Sequence, residues 1–349
     1  MNFKLSYLQL ENGSVFPGFS PVYQTGNFYG EVVFNTGMTG YVESLTDPSY
    51  AGQLLVFTYP LIGNYGVPKE SRWESRRVHP RGVIVSEACI NYSHSDATQS
   101  LLSWLRGQKV PIIMGVDTRE LTKTIRSHGV LLGAITDKKV SIKKFTDPNK
   151  ENLVGQVSLE KKKIYGRGRK KIIAVDCGMK ENIIRSLQEF PVTIERVPYD
   201  YDYSGERYDG LFISNGPGDP AAVTPTIAIL KKALQKKTPI FGICLGAQLL
   251  AIASGAKTFK LPFGHRGHNQ PCLEVETGRC FITSQNHGYA VDEKTIQKDW
   301  YVNFRNLNDN SVEGIAHKTL PYFSVQFHPE AAPGPTDTRW MFEKFINSL

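Results

Sequence analysis

The chain has little of what marks a secreted, metal-clipped or membrane-spanning protein. Its 349 residues include five cysteines, an odd number, and no Cys-x-x-Cys pair. This argues against a disulfide framework and a zinc knuckle, and it favours a reducing compartment. No apolar run reaches the roughly 18 residues that a membrane span needs. The first residues resemble neither a signal peptide nor a transit segment. We therefore expect a soluble protein that is not secreted and has no membrane partner.

Two further signatures are missing, those of ATP binding and of nucleic-acid binding. The sequence has no Walker-type phosphate loop. Its formal net charge of +8 could indicate nucleic acid, but the basic residues are scattered. The one dense basic run, residues 161–171, has no aromatic RNA-binding motif beside it. We interpret this run as solvated chain and expect neither a nucleic-acid partner nor a cofactor in this chain.

The length and the residue pattern predict two α/β domains. Residues 1–150 contain short strands separated by turn residues and a helix that starts after the capping residue Asp117, which predicts a mixed β/α domain. Residues 151–170 are rich in lysine and are predicted to form a linker. In residues 171–349 apolar strands alternate with helices, which predicts a mainly parallel sheet flanked by helices.

A Gly-x-Cys-x-Gly sequence stands at the centre of the second domain. A short apolar strand precedes Cys244, and an apolar helix follows it to about Ser254. Gly242 and Gly246 permit a sharp strand-to-helix turn, which would hold the thiol in a strained, exposed position. The start of a helix also favours the thiolate form. Because a cysteine in an apolar stretch is more often inert and buried, the pattern alone leaves both interpretations open.

Two polar segments of this domain follow strands, where catalytic groups of parallel sheets lie. Residues 214–220 are rich in glycine and proline, so their backbone amides either stabilise an oxyanion or form a plain β-turn. Residues 283–289 contain His287. For this segment a catalytic base, a conformational role, and substrate contact by Asn286 and the Gly288 backbone all stay open.

A third segment places His328 at the end of a strand, with Glu330 two residues later. In an extended chain such residues project to the same side, and Pro329 favours extension between them. The carboxylate can therefore orient the imidazole. Together with Cys244 the pair forms a nucleophile–base–orienter set for acyl transfer through a thioester. The backbone amides just after Cys244 and in the Gly-Pro-Gly turn, residues 216–218, would hold the oxyanion.

The other histidines predict no metal site. His265 and His268 are separated by arginine and glycine, do not suggest ligation from one helix and have no evident third ligand. His79, His94 and His128 are isolated, so we expect ordinary surface or packing roles for them.

Four of these motifs, in this order, resemble the class I glutamine amidotransferases. They are Asn-Gly-Pro-Gly-Asp-Pro at 215–220, Gly-Ile-Cys-Leu-Gly-x-Gln at 242–248, Gln-Asn-His-Gly at 285–288 and His-Pro-Glu at 328–330. The resemblance covers residues 171–349. It implies hydrolysis of L-glutamine to glutamate and ammonia, with Cys244, His328 and Glu330 as the catalytic residues.

The first half resembles the small subunits of carbamoyl-phosphate synthases. The segments that carry this resemblance are 30–41, 45–50, 63–66 and 115–122, with 331–337 from the second half. It implies that glutamine contacts Ser49, Gly216, Gly218, Leu245, Gln248, Asn286, Gly288 and Tyr289. In that family ammonia passes to a large subunit, which uses bicarbonate, ATP and Mg to make carbamoyl phosphate for arginine and pyrimidine biosynthesis. The expected partner is that large subunit, in a heterodimer or a higher oligomer.

One position departs from the family pattern. Ala247 stands where many relatives have histidine, but the catalytic set does not include that position, so we still expect activity. A free-standing cysteine hydrolase and a catalytically silent binding module are the alternatives. The first-half motifs and Gln248 argue against the hydrolase, and the complete catalytic set argues against the silent module. The sequence fits a bacterial cytoplasm or, if an organelle encodes the chain, a plastid stroma.

Overall fold

A computed structural model describes residues 2–140, 142 and 144–349. They form two compact units that divide between Glu151 and Asn152. Within the described residues, none of the helices combines the length and the apolar character that crossing a membrane would take.

The first unit is built on a mixed sheet. Its strands are β1 (Phe3–Leu10), β2 (Val15–Pro21), β3 (Phe28–Asn35), β4 (Gln53–Phe57), β5 (Leu61–Ile62), β6 (Val67–Pro68), β7 (Gly82–Ile84), β8 (Glu87–Ala88), β9 (Ala97–Gln99), β10 (Ile112–Ile113) and β11 (Leu131–Thr136). Its α-helices are α1 (Tyr41–Thr46), α2 (Leu101–Gly107) and α3 (Thr118–His128). Seven strands form one sheet in the order β10-β7-β4-β3-β11-β1-β2, parallel from β10 to β3 and antiparallel from β3 to β2.

Local capping explains where α3 begins. The Asp117 carboxylate accepts a hydrogen bond from the Glu120 backbone N–H at 2.9 Å, which satisfies one of the amides that a helix start leaves open. Leu121 and Ile125 are buried on one face of this helix. Gly129 follows its last residue.

The second unit carries the catalytic motifs. Its strands are β12 (Lys163–Tyr165), β13 (Lys170–Asp176), β14 (Val192–Pro198), β15 (Gly210–Ile213), β16 (Ile240–Ile243), β17 (Lys257–Glu274), β18 (Cys280–Asp292), β19 (Trp300–Asn306), β20 (Val312–His317) and β21 (Tyr322–Val325). Its α-helices are α4 (Leu153–Val157), α5 (Glu181–Leu187), α6 (Thr224–Ala233), α7 (Leu245–Ala253) and α8 (Trp340–Asn347). The ten strands form one sheet in the order β12-β14-β13-β15-β16-β21-β20-β18-β17-β19.

This sheet has a parallel half and an antiparallel half. Strands β14, β13, β15, β16 and β21 run parallel, and β20, β18, β17 and β19 continue the sheet in antiparallel pairs. Successive residues of β13 enter different cores: Ile173 packs in a cluster with Leu230 of α6 and Leu249 of α7, and Ile172 packs in one with Ile184 of α5 and Phe345 of α8. Helices therefore cover both faces, which confirms the predicted α/β class. The sheet is not mainly parallel, contrary to the prediction, because its antiparallel pairs extend it beyond β21.

The segment predicted to be a linker, residues 151–170, contains regular secondary structure. Residues 151–170 include α4 and β12, and β12 pairs antiparallel with β14 at the edge of the sheet. Two lysines of the basic run 161–171 form ion pairs with β14: Lys162 and Lys171 each lie within 3.0 Å of the Glu195 carboxylate. Backbone pairing at the edge of a sheet needs no apolar pattern, so residue periodicity does not reveal β12.

Two glycines position the strand-to-helix turn between β16 and α7. A Cβ added at Gly246 would lie 2.2 Å from the Ile213 carbonyl oxygen of β15, and one added at Gly242 would lie 2.6 Å from the Gly246 carbonyl oxygen. Both distances are far below van der Waals contact. The first turn of α7 therefore packs against the sheet only because both positions lack a side chain.

Replacing Gly246 by alanine tests this packing. The added methyl group would overlap the Ile213 carbonyl, so we expect the free energy of unfolding of the second unit to fall by about 3 kcal/mol. Gly205→Ala is the matched control in the same unit, because nothing lies within 4 Å of its added Cβ. Chemical denaturation measures both variants, and equal stabilities would contradict the close-packing argument.

Candidate active site

Cys244 occupies the turn between β16 and α7 in a left-handed conformation. Its φ is 54° and its ψ is −107°, a backbone geometry that side chains rarely adopt. Its backbone N–H donates to the Val325 carbonyl of β21 at 2.8 Å, which anchors the turn to the neighbouring strand. The predicted strain is present, but the predicted exposure is wrong: the residue is 2% exposed. Its thiol contacts the Asn286 carbonyl oxygen of β18 at 3.6 Å.

His328 and Glu330 form a buried ion pair just after β21. The His328 Nδ1 lies 2.7 Å from Glu330 Oε1, the contact that their two-residue spacing predicts. Among the residues that the structure describes, Nε2 of His328 has no hydrogen-bond partner. Burial lowers the pKa of His328, but the charges of Glu330 and Cys244 outweigh burial and raise that pKa to about 10. The two neighbouring groups therefore stabilise the protonated form of the imidazole.

Lys180 is a member of this site that sequence reasoning missed. It follows β13, and its Nζ lies 3.1 Å from Glu330 Oε1 with both side chains buried. Burial raises the pKa of Glu330, but Lys180 and then His328 outweigh it and lower that pKa to about 2. The available signal was the position of Lys180 after a parallel strand, at the sheet edge where the other catalytic groups were expected.

The glycine-rich turn after β15 lies against the start of α7. A Cβ added at Gly216 would lie 2.8 Å from Cδ2 of Leu245, and Gly218 has a φ of +87°. Leu245 is the first residue of α7, so its N–H lies outside the hydrogen-bond ladder of the helix. The structure thus brings together the two backbone segments that we predicted would hold an oxyanion.

The remaining predicted glutamine contacts of the second unit come from α7 and β18. The Gln248 side chain donates to the Tyr289 carbonyl at 2.8 Å, and the Asn286 carbonyl contacts Cys244. Gly288 lies between them, where a Cβ would be 3.1 Å from Nη2 of Arg266. One short stretch of β18 backbone therefore faces both the nucleophile and the first turns of α7.

Ser49 belongs to the first unit. It lies in a 3-10 helix, Pro48–Tyr50, where it is buried and its backbone N–H donates to the Asp47 carboxylate at 2.9 Å. Its contact with glutamine stays a prediction.

A cluster of possible metal ligands lies on three neighbouring strands, β17, β18 and β20. His265 comes together with His287 and Glu313, not with His268, and their ligand atoms lie within 4.8 Å of one another. The ring nitrogens already face acceptors: Nε2 of His265 lies 2.9 Å from Asp309, and Nδ1 of His287 lies 2.8 Å from the Tyr289 carbonyl. We interpret the cluster as a hydrogen-bonded network.

Comparison with known proteins places both units in one family. Residues 173–348 match the model described as glutamine amidotransferase class-I, and residues 8–135 match carbamoyl-phosphate synthase small chain, CPSase domain. The carbamoyl phosphate synthase arginine-specific small chain of Saccharomyces cerevisiae is 46% identical, over 97% of this chain and 87% of that protein. The chain belongs to the carbamoyl-phosphate synthase small chain family. This confirms the family that the motifs predicted.

Other members of the family are much longer proteins. The multifunctional protein URA2 of Saccharomyces cerevisiae is 46% identical over 99% of this chain, and the match spans 18% of URA2. The multifunctional protein CAD of Squalus acanthias is 49% identical over 98% of this chain, and the match spans 16% of that protein. This chain thus spans about a fifth or less of the length of these multifunctional relatives.

Removing the Lys180 charge tests its role beside Glu330. Lys180→Met removes one of the two partners of the buried Glu330 carboxylate and leaves only His328, so we expect a loss of roughly 3 kcal/mol in the free energy of unfolding at neutral pH. The control is Lys232→Met, whose partner Asp202 is exposed, and we expect no measurable change from it.

The pH dependence of the free energy of unfolding of Lys180→Met provides a second test. The pKa of Glu330 falls from 4.5 to about 2 on folding, so its stabilising ion pair is complete above pH 4.5 and is lost as the pH falls toward 2. The difference between Lys180→Met and the unchanged protein should therefore shrink over that interval. A difference that stays constant would show that Lys180 acts through something other than Glu330.

Proposed function

We propose that this chain is the glutaminase subunit of a carbamoyl-phosphate synthase. It hydrolyses L-glutamine and supplies the ammonia to a separate large subunit. The observation that carries the proposal is a cysteine in a strained strand-to-helix turn at the same sheet edge as a buried His–Glu pair. The family membership gives this chemistry its substrate.

The first half-reaction releases ammonia. The Cys244 thiol passes its proton to Nε2 of His328, and the sulfur attacks the side-chain amide carbon of glutamine. The N–H groups of Leu245 and of the turn at Gly216 and Gly218 stabilise the oxyanion that forms. His328 then donates its proton to the leaving nitrogen, the C–N bond breaks, and ammonia leaves a glutamyl thioester on the sulfur.

The second half-reaction returns the free enzyme. Neutral His328 takes a proton from water, and the hydroxide attacks the thioester carbon. The C–S bond breaks, the sulfur recovers a proton from His328, and glutamate leaves. Glu330 stays ionised throughout, because Lys180 stabilises its negative charge, and it orients the imidazole for both proton transfers.

Glutamine binding rests on the residues that the family motif assigns. In the second unit the Asn286 carbonyl of β18 contacts the Cys244 thiol, and the Gln248 amide donates to the Tyr289 carbonyl of the same strand. Amide and carbonyl groups match the uncharged amide and the zwitterionic backbone of glutamine. Ser49 is the contact that we assign to the first unit.

The large subunit is the proposed consumer of the ammonia. Bicarbonate, ATP and Mg would act there, and this chain would need no cofactor of its own. The names of two relatives, an arginine-specific small chain and a multifunctional protein, support a role in arginine or pyrimidine biosynthesis. We propose a heterodimer or a higher oligomer, in a bacterial cytoplasm or a plastid stroma.

Replacing the nucleophile separates the two activities of the proposed complex. With the large subunit present, Cys244→Ser should lower glutamine-dependent carbamoyl phosphate synthesis by about 10³-fold or more, because serine is a much weaker nucleophile here. Synthesis from added ammonia should stay unchanged, since it bypasses the thioester.

Cys280→Ser is the matched control. This cysteine is free and exposed, so both glutamine-dependent and ammonia-dependent synthesis should survive. Retained glutamine use in Cys244→Ser would refute the nucleophile. A complex that releases no glutamate from glutamine even with both cysteines intact would refute the function.

A further inference from the structure

The β18 backbone that faces Cys244 is only loosely held by its neighbour in the sheet. Lys260 of β17 pairs with Tyr289, and His265 pairs with His287, so residues 261–264 stand opposite Gly288 alone. The pairing shifts again beyond Gly267. Irregular pairing of this kind re-aims a strand and leaves part of its ladder unmade. Other contacts must therefore fix where the backbone at Gly288 lies.

The buried side chain of His287, which belongs to β18, supplies one such contact. Its Nδ1 lies 2.8 Å from the carbonyl oxygen of Tyr289, two residues along its own strand. Its Nε2 lies 3.1 Å from the Gln285 side-chain oxygen and 3.7 Å from Glu313 Oε1. The ring thus bridges residues 287 and 289 and restrains the backbone at Gly288, which lies between them.

Glu313 of β20 links the two histidines. Its Oε1 lies 3.4 Å from Nδ1 of His265 and accepts a hydrogen bond from the Asn306 amide at 3.2 Å. The rings of His265 and His287 meet edge to face, with centroids 4.9 Å apart. The other nitrogen of His265 faces Asp309 at 2.9 Å. One buried carboxylate therefore holds two rings in a fixed relation.

Charge makes this arrangement necessary. The Glu313 side chain is fully buried, and its Oε2 has no hydrogen-bond partner among the described residues. A buried carboxylate is tolerated only when cationic or hydrogen-bonding groups compensate it. Burial lowers the pKa of His265, but Asp309 and Glu313 outweigh burial and raise it to about 9, so this ring is a cation at neutral pH.

The network reaches the site through a shared acceptor. The carbonyl oxygen of Tyr289 accepts from His287 and also from the Gln248 side chain at 2.8 Å. Gln248 in turn donates to the Gln326 side chain, and the Gln326 backbone N–H donates to the Glu313 carbonyl. Glu313 is thus connected to the groups around Gly288 both through its side chain and through its backbone carbonyl.

We propose that Glu313 is a positioning residue for the substrate, which acts through His265 and His287 to hold the β18 backbone at Asn286 and Gly288 in its glutamine-binding position. This inference rests on the proposed glutaminase function. Glu313 touches neither the thiol nor the His328–Glu330 pair in the contacts described, so its effect falls on substrate binding and not on the chemical steps.

Glu313→Gln tests the proposal, because it keeps the shape and removes the charge. In the complex with the large subunit, we expect the KM for glutamine to rise by about tenfold while kcat stays within about twofold. The pH profile gives a second reading. In the unchanged protein the KM should rise above about pH 9, where His265 loses its proton, and in Glu313→Gln the rise should begin at lower pH.

Two further variants keep the test decisive. Asp309→Asn alters the other carboxylate that faces His265, lies in a partly exposed loop, and should shift the same KM in the same direction by a smaller factor. Ile229→Ala in α6 is the stability control: it creates a cavity in the core of the same unit and should lower the unfolding midpoint without changing KM.

The outcomes separate the two levels of the argument. A raised KM in Glu313→Gln and Asp309→Asn, with KM unchanged in Ile229→Ala, supports the positioning role. An unchanged KM, or an equal fall in kcat and kcat/KM, overturns it while the proposed function stands. Absence of glutamine hydrolysis by the unchanged complex would overturn the function itself. If Glu313→Gln fails to fold, the KM and the pH profile of Asp309→Asn decide the question.

Discussion

The second unit depends on the close approach of one helix end to the edge of a parallel sheet. Because Gly246 has no side chain, α7 begins against the Ile213 carbonyl at the end of β15. The parallel register places Ile213 beside Gly242, and Gly242 beside Ser324 of β21. The segments that follow all three strands therefore start from the same edge. The glycine-rich turn after β15, Cys244 and His328 meet there for that geometric reason.

Buried charge is balanced in two separate places around this edge. Lys180 and His328 compensate Glu330, and His265 compensates Glu313. Taking carboxylates out of water is costly, so each of these groups is stable in its ionised form only with its partners in place. The pKa of Glu330 near 2 keeps that carboxylate ionised across the whole neutral range, and the raised pKa of His328 stabilises the imidazolium that forms when the ring accepts a proton. The imidazole then has a fixed orientation in every step that uses it.

The sequence predicted best those features whose cause is local. The Gly-x-Cys-x-Gly spacing fixes the turn at Cys244, and the two-residue spacing fixes the contact between His328 and Glu330. The sequence did not predict contacts between residues that are distant along the chain. Lys180 and Glu313 reach their partners only through the strand order of the sheet, which periodicity does not reveal.

The burial of the thiol connects substrate binding to chemistry. The thiol of Cys244 lies 3.6 Å from the Asn286 carbonyl, so its hydrogen has an acceptor on β18, while the His328 imidazole lies close enough for Cys244 to raise its pKa. Glutamine that engages the backbone of Asn286 and Gly288, as proposed, competes with the thiol for that strand. The thiol proton then finds its next acceptor on the imidazole, which is where the thioester mechanism needs it. In the proposed mechanism, precise placement of β18 therefore serves two purposes, since the same backbone would receive the substrate and release the nucleophile.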